Sequence, residues 1–332
     1  MRPLIIGGCP RSGTTLLRSI LDNHPEIAVP PETSFVLPLW HRRSEFGDLH
    51  RPEARREVAE FVFGSSGHGG RRIRGAVGRV EAIDRLVAAQ PTLGSLLAAS
   101  FALYAERTGK PRWGDKRPRY AMYIGVIFDL FPDAQFINVV RDPRGAVASQ
   151  IPMGWDPPGV ALPASIANWE SSVERVDAFA RRLGPDQLLD VRYEDLVREP
   201  EHELKRICAF AGLNADAGVA AALAAPRHGR HLTSVERVTE PIDASAIARW
   251  RERLSPADVA LIENGAAAHL ERFGYVPEAK AAPDRAALAE LRRQCRIRRA
   301  RFRRVAAREL ARRAVLDRRP VAAAPGAGAA ME

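Results

Sequence analysis

Two arginine-bearing segments of this 332-residue chain have the residue types and spacing to hold anions. The first is Pro3-Leu-Ile-Ile-Gly-Gly-Cys-Pro-Arg-Ser-Gly-Thr-Thr-Leu-Leu17, an apolar run followed by a Gly-rich bend and a helical pattern. That order presents backbone N–H groups and a helix N-terminus to a negative charge. From Gly8 to Thr15 the spacing fits the phosphate-binding loop of nucleoside triphosphatases, except that Thr14 stands where such loops carry a lysine for the β- and γ-phosphates. An anion is therefore expected here, and a triphosphate with Mg²⁺ is not; Arg11, inside the loop, offers a replacement cation. The second segment is Phe136-Ile-Asn-Val-Val-Arg-Asp-Pro-Arg-Gly-Ala-Val-Ala-Ser149, where an apolar strand ends at Arg141 and a helix begins near Pro143. A metal-dependent P-loop enzyme tends to deliver an Asp for Mg²⁺ from such a strand. Here the strand delivers a guanidinium, which can fork onto phosphate oxygens, and Ser149 on the following helix can reach the same anion.

The elements that must position these groups are legible as an alternation. Short apolar runs at Leu4 to Ile6, Ile27 to Val29, Phe136 to Val140 and Leu188 to Tyr193 predict strands of a buried parallel sheet. Helical patterns fall at Thr14 to Asp22, Arg79 to Ala89, Leu93 to Thr108, Tyr120 to Phe131, Arg144 to Gln150 and Ala164 to Leu183. Beyond Tyr193 the chain reads as helices, at Glu201 to Ala211, Ala215 to Ala224, Ala244 to Arg253 and Pro256 to Phe273. The pattern predicts an α/β fold: a P-loop-like parallel sheet, doubly wound and flanked by helices, with a helical C-terminal region. Gly64 to Gly70 reads as a flexible turn inside a helical insertion.

Taken together, the two segments resemble the sulfotransferases that use 3′-phosphoadenosine 5′-phosphosulfate, in particular the branch containing the protein-tyrosine sulfotransferases and related bacterial enzymes. The resemblance runs from about Pro3 to Trp250. Pro10 to Leu16 is similar to the family's 5′-phosphosulfate loop, which implies donor contacts from Arg11, Ser12, Gly13, Thr14 and Thr15. Val140 to Gly145 with Ser149 is similar to its 3′-phosphate segment, implying the same for Arg141 and Ser149. In Val-Pro-Pro-Glu-Thr-Ser-Phe35, Glu32 resembles the catalytic base of the tyrosine-sulfating branch, on a loop stiffened by Pro30 and Pro31. In Trp113-Gly-Asp-Lys-Arg-Pro118, Lys116 resembles the lysine that stabilises the sulfuryl group in transfer. Val191-Arg-Tyr-Glu-Asp-Leu-Val197 matches a segment that puts Tyr193 near the nucleotide. Ser234 resembles a partner to Lys116, and Arg249, before Trp250, aligns with a cation near the nucleotide. The resemblance implies in-line sulfuryl transfer to a hydroxyl with no metal, Arg, Lys and backbone dipoles supplying the electrostatic stabilisation. The phenol- and steroid-acting branch uses a His base, and His24, His228 and His231 are the candidates for that role. The Gly-rich C-terminal signature of that branch is absent around Trp250, which favours Glu32.

Two other readings stay open at this stage: a P-loop phosphotransferase or NTPase with an aberrant loop, and a non-catalytic nucleotide-binding scaffold. The net charge of +10 is confined to residues 284–319, which hold 14 Arg and 4 acidic residues and so leave the remainder neutral. No nucleic-acid partner is therefore expected of the catalytic body. The boundaries read as a sulfotransferase domain over 1–283, a basic amphipathic helix over 284–319 and a disordered tail over 320–332. That helix either docks on the protein or a partner, or makes peripheral contact with a membrane or nucleic acid. With no apolar span and no room for a leader before the first strand, a cytoplasmic protein is expected, with peripheral contact at the inner membrane face left open. Cys9, Cys208 and Cys295 are scattered and form neither a disulfide framework nor a zinc ligand set. The acceptor is expected to be a small molecule, a lipid or a carbohydrate bearing a hydroxyl, though a peptide tyrosine also remains open; oligomeric state has no readable signal.

Overall fold

Five parallel strands form one sheet in the order β2-β3-β1-β4-β5, with β1 Leu4–Gly8, β2 Ile27–Ala28, β3 Arg112–Lys116, β4 Gln135–Val140 and β5 Leu188–Arg192. The computed structural model describes residues 2–63, 73, 78–224, 242 and 244–300. The Gly64 to Gly70 turn, His228, His231, Ser234, the 301–319 half of the basic helix and the 320–332 tail lie outside the described residues.

Every residue of β1 and β4 is buried, as a central parallel strand covered on both faces requires. The period of two divides their side chains between two cores. Ile5 and Phe136 face a core built with Phe35, Leu97, Phe101 and Ile127. Leu4, Ile6, Ile137 and Val139 face the other, which includes Leu17, Ile20 and Leu21 from helix α1, Thr14–Asn23, and Leu204 and Ile207. From β1 the chain moves to one side of the sheet to lay down β2 and β3, then crosses to the other for β4 and β5. The winding direction reverses at β1 and β4, and a crevice opens beyond the carboxyl ends of strands at such a point.

β3 has no counterpart among the expected strands. Its sequence, Arg-Trp-Gly-Asp-Lys, carries three ionisable residues, all buried. Each has partners: the Arg112 guanidinium donates to the carbonyls of Arg2 and Ala211 and to Gln135 Oε1, while Asp115 and Lys116 bind the loop that follows β2. Hydropathy cannot reveal a strand whose polar groups are satisfied from elsewhere in the fold. The expected helix from Tyr120 to Phe131 is a 3₁₀ turn, Pro118–Tyr123, followed by an α-helix, Ile124–Leu130. The expected helix at Ala244 to Arg253 is two short 3₁₀ turns, Ala244–Ile247 and Arg249–Glu252. β5 stops at Arg192, so Tyr193 opens a helix, Tyr193–Arg198, instead of closing a strand.

Residues 285–300 are helical, and Leu288, Leu291 and Cys295 pack with Val147, Ile166, Leu261 and Ile262. Arg299 reaches Glu170 at 3.1 Å and Glu174 at 3.5 Å on the long helix Pro158–Ala180. This part of the basic helix is docked on the body of the protein. No described helix is long and apolar enough to cross a membrane.

Candidate active site

The turn between β1 and α1 is held in a shape that few sequences tolerate. Arg11 has φ 72°, the left-handed region that a non-glycine residue enters at a cost of about 1–3 kcal/mol and that recurs at functional sites. Gly13 has φ 97° and supports the face of Tyr193; a Cβ there would collide with that ring. Gly13 also opens α1 with no side-chain cap, and the first turn has no acidic residue. The amide N–H groups and the positive end of the helix are thus left for an anion. Ser12 in the same turn is fully buried, and its Oγ has no hydrogen-bond partner among the described residues. A buried, unpartnered hydroxyl is rare and asks for a ligand or water.

β4 delivers Arg141 beside this turn. Its Nη1 donates to the Arg11 carbonyl at 3.2 Å, its Nη2 to the Ala246 carbonyl at 3.0 Å, and its guanidinium lies 4.4 Å from the centroid of the Tyr193 ring. The Nε of Arg141 is buried and also lacks a partner among the described residues. Arg11 Nε donates to Ser149 Oγ at 3.1 Å, bringing the two arginine-bearing segments together. Arg249 lies on the next 3₁₀ turn, donating to Ser245 Oγ at 3.0 Å. Trp250 beside it is buried beneath the Arg144 guanidinium, 4.5 Å away. Arg144 in turn pairs with Asp142 and Glu263 at 2.7 Å each, tying the helix Pro143–Gln150 to the C-terminal helix Pro256–Leu270.

On the other side of α1, Lys116 at the end of β3 donates to Thr15 Oγ1 at 3.2 Å and to Glu32 Oε2 at 2.7 Å. The lysine side chain is 3% exposed and that of Glu32 is 39% exposed. Burial draws the Lys116 ammonium below its ordinary value, and the Glu32 carboxylate opposes that pull. A carboxylate that faces solvent and a lysine that does not are therefore fixed beside a bare helix N-terminus. A carboxylate reached from solvent can accept a proton, and the buried cation and helix dipole can stabilise negative charge that develops nearby.

Sequence reasoning did not single out Thr33, Asp115, Tyr120 or Glu194. Asp115 accepts Thr33 Oγ1 at 3.1 Å on each carboxylate oxygen and also accepts the Tyr120 hydroxyl. Glu194 accepts the backbone N–H of Asp142 at 3.0 Å and the Tyr275 hydroxyl at 2.9 Å, which fixes the chain just after Arg141. These partners stand between 5 and 82 residues apart in sequence, so no local spacing marks them.

Comparison with known proteins follows the same outline. A family model described as "Sulfotransferase family" matches residues 3–217. Protein-tyrosine sulfotransferase A of Caenorhabditis elegans is 27% identical over 283 residues, covering 83% of this chain and 68% of that protein. Protein-tyrosine sulfotransferase of Drosophila melanogaster is 28% identical over 289 residues, covering 83% of this chain and 52% of that one. The nodulation protein NoeE of Sinorhizobium fredii is 27% identical over 272 residues, covering 75% and 59%. Among solved structures, the sulfotransferase domain of the Synechococcus PCC 7002 olefin synthase superposes with a TM-score of 0.58 at 26% identity, covering 83% of this chain and 95% of that domain. The sulfotransferase domain of the curacin biosynthetic pathway gives a TM-score of 0.55 at 22% identity, covering 83% and 99%, a likeness of fold.

Proposed function

The chain belongs to the sulfotransferase family, and from that premise we propose that it takes the sulfuryl group from 3′-phosphoadenosine 5′-phosphosulfate and that Glu32 is the base for a hydroxyl acceptor. The donor supplies an activated sulfuryl group on an adenosine bisphosphate leaving group. The residues present suit it: among the described residues Ser12 Oγ and Arg141 Nε are buried without partners, and α1 begins with no side-chain cap.

Arg11, Ser12, Gly13, Thr14 and Thr15 bind the 5′ side of the donor through the turn amides, the helix dipole and the Ser12 hydroxyl. Arg141 and Ser149 bind the 3′-phosphate, with Tyr193 beneath the guanidinium. Arg249 is assigned to the same end of the nucleotide and Ser234 to Lys116, by resemblance. Glu32 receives the proton of the acceptor hydroxyl as its oxygen bonds to sulfur. Lys116, dry and cationic, offsets the negative charge left on the departing phosphate oxygen. The single observation that carries this assignment is the 2.7 Å pair of Lys116 and Glu32 set against Thr15 in the first turn of α1. A solvent-facing carboxylate and a buried ammonium at one point beside an uncapped helix N-terminus support reading them as proton acceptor and charge stabiliser.

The acceptor is proposed to be a small molecule, lipid or carbohydrate bearing a hydroxyl. Domain limits of 1–283 for catalysis and 284–319 for the basic helix are proposed with it. Calorimetric titration with 3′-phosphoadenosine 5′-phosphate and with ATP, each with and without Mg²⁺, tests the donor. Metal-independent binding of the bisphosphate alone is expected; a preference for Mg·ATP would replace this assignment with a phosphotransferase.

A further inference from the structure

The loop that carries Glu32 has no regular secondary structure from Val29 to Ser34, and its two prolines remove two backbone donors. Something other than a helix or ladder must fix the carboxylate, because misplacing a reacting group by about 1 Å can cost about a hundredfold in rate. Three consecutive residues at the end of β3 grip this loop. Lys116 holds the Glu32 carboxylate, Arg117 Nη1 donates to the Thr33 carbonyl at 3.4 Å, and Asp115 takes the Thr33 hydroxyl on both oxygens.

The Asp115 contact differs in kind from the other two. Lys116 and Arg117 pair with the part-exposed Glu32 carboxylate at 2.7 and 4.0 Å, whereas Asp115 and Thr33 are wholly buried, at 1% and 0% exposure. Tyr120 fixes the direction of the bond. Its phenol is held protonated by burial and by the Asp115 charge, so it remains a donor to Asp115 Oδ2. Above its titration near pH 6 the ionised carboxylate can only accept, so the Thr33 hydroxyl next to Glu32 donates to it.

We propose that Asp115, oriented by Tyr120 and acting through Thr33, is a positioning residue that sets the place of the Glu32 carboxylate. This inference rests on Glu32 being the base. Neither Asp115 nor Thr33 need touch donor or acceptor; the pair exists to hold an irregular loop at a fixed distance from β3.

The test is a double-mutant cycle on the full chain with Thr33→Val, Thr33→Ser, Glu32→Gln and the Glu32→Gln/Thr33→Val pair. Turnover is read as bisphosphate release from 3′-phosphoadenosine 5′-phosphosulfate, with 4-methylumbelliferone and octanol as acceptors and water where neither reacts. Thr33→Val should lower kcat by about 10–100-fold and the Tm by only the few degrees that one lost buried hydrogen bond accounts for, while leaving the Kd for 3′-phosphoadenosine 5′-phosphate near wild type. Thr33→Ser, which keeps the donor, should recover most of the rate. In the Glu32→Gln background Thr33→Val should cause no further loss, because residues acting through one group are not additive. Full activity in Thr33→Val, no rescue by Ser, or an added loss in the double variant would overturn the positioning role and leave the base assignment standing. Wild-type turnover in Glu32→Gln would overturn both. Hydrogen exchange of the amides at residues 32–35 gives a check apart from activity. Faster exchange confined to these amides is expected in Thr33→Val, and unchanged exchange would refute the inference.

Discussion

Arg141 lies over Tyr193, its guanidinium 4.4 Å from the ring centroid, while the same ring closes over Gly13. One aromatic side chain thus touches both arginine-bearing segments, and the two halves of the candidate site share a wall.

Removing that guanidinium should weaken nucleotide binding more than it slows chemistry. Arg141→Ala is expected to raise the Kd for 3′-phosphoadenosine 5′-phosphate by about 10–100-fold, the worth of one charge-assisted hydrogen bond or a fork. The kcat at saturating donor should fall far less. Calorimetry with steady-state kinetics separates the two; an unchanged Kd would remove Arg141 from the donor site.

Glu32→Gln is the complementary case. It keeps the size of the side chain and abolishes its basicity, so kcat should drop by about 10²–10⁴ with the bisphosphate Kd held near wild type. Lys116→Met should lose about 10²–10³ in kcat and, by removing the partner of Glu32, loosen the loop as well. Equal kinetics in wild type and both variants would sink the site assignment.

The buried Asp115 predicts a pH dependence of stability. Burial pushes its carboxyl from 3.8 up to about 6, against the opposing hydrogen bonds of Tyr120 and Thr33 and the charge of Lys116. The folded protein therefore holds this proton more tightly than the unfolded chain does. The resulting stabilisation is complete below pH 3.8 and is lost as pH rises through about 6, some 3 kcal/mol in all. Asp115→Asn has no such titration. Urea denaturation from pH 4 to 7.5 should show wild type losing stability relative to the variant, and parallel curves would contradict it.

Leu291 offers a test of the docked C-terminal helix. It is 4% exposed and packs with Ile166, Leu261 and Ile262, so Leu291→Ala should cost about 2–5 kcal/mol. A Tm within a degree of wild type would mean that residues 285–300 are detached from the body in solution.

The sheet and the turn after β1 were legible because both are written locally. Apolar runs locate β1, β2, β4 and β5, and the glycines and arginines that follow β1 and β4 stand beside them in sequence. β3 was not legible, because Arg112, Asp115 and Lys116 look like a solvated loop until Arg2, Gln135, Thr33 and Glu32 are folded against them. Lys116 and Glu32 were named as separate candidates, but their 2.7 Å pairing spans 84 residues and has no local signature. The same holds for Thr33 and Asp115, whose hydroxyl and carboxylate are ordinary residues until the sheet brings them together.

β3 also has an evolutionary consequence. The Glu32 loop is anchored backwards, onto a strand of the sheet, and the helix Val36–Arg42 that leaves the loop makes none of these three attachments. Substitutions at solvent-facing positions beyond this helix, such as Glu45, Glu53 and Glu57, can therefore accumulate without moving the carboxylate, whereas Val36, Leu97 and Phe101 are tied to the core. A lineage built on this arrangement can vary its outer surface while the paired Glu32 and Lys116 are inherited in place.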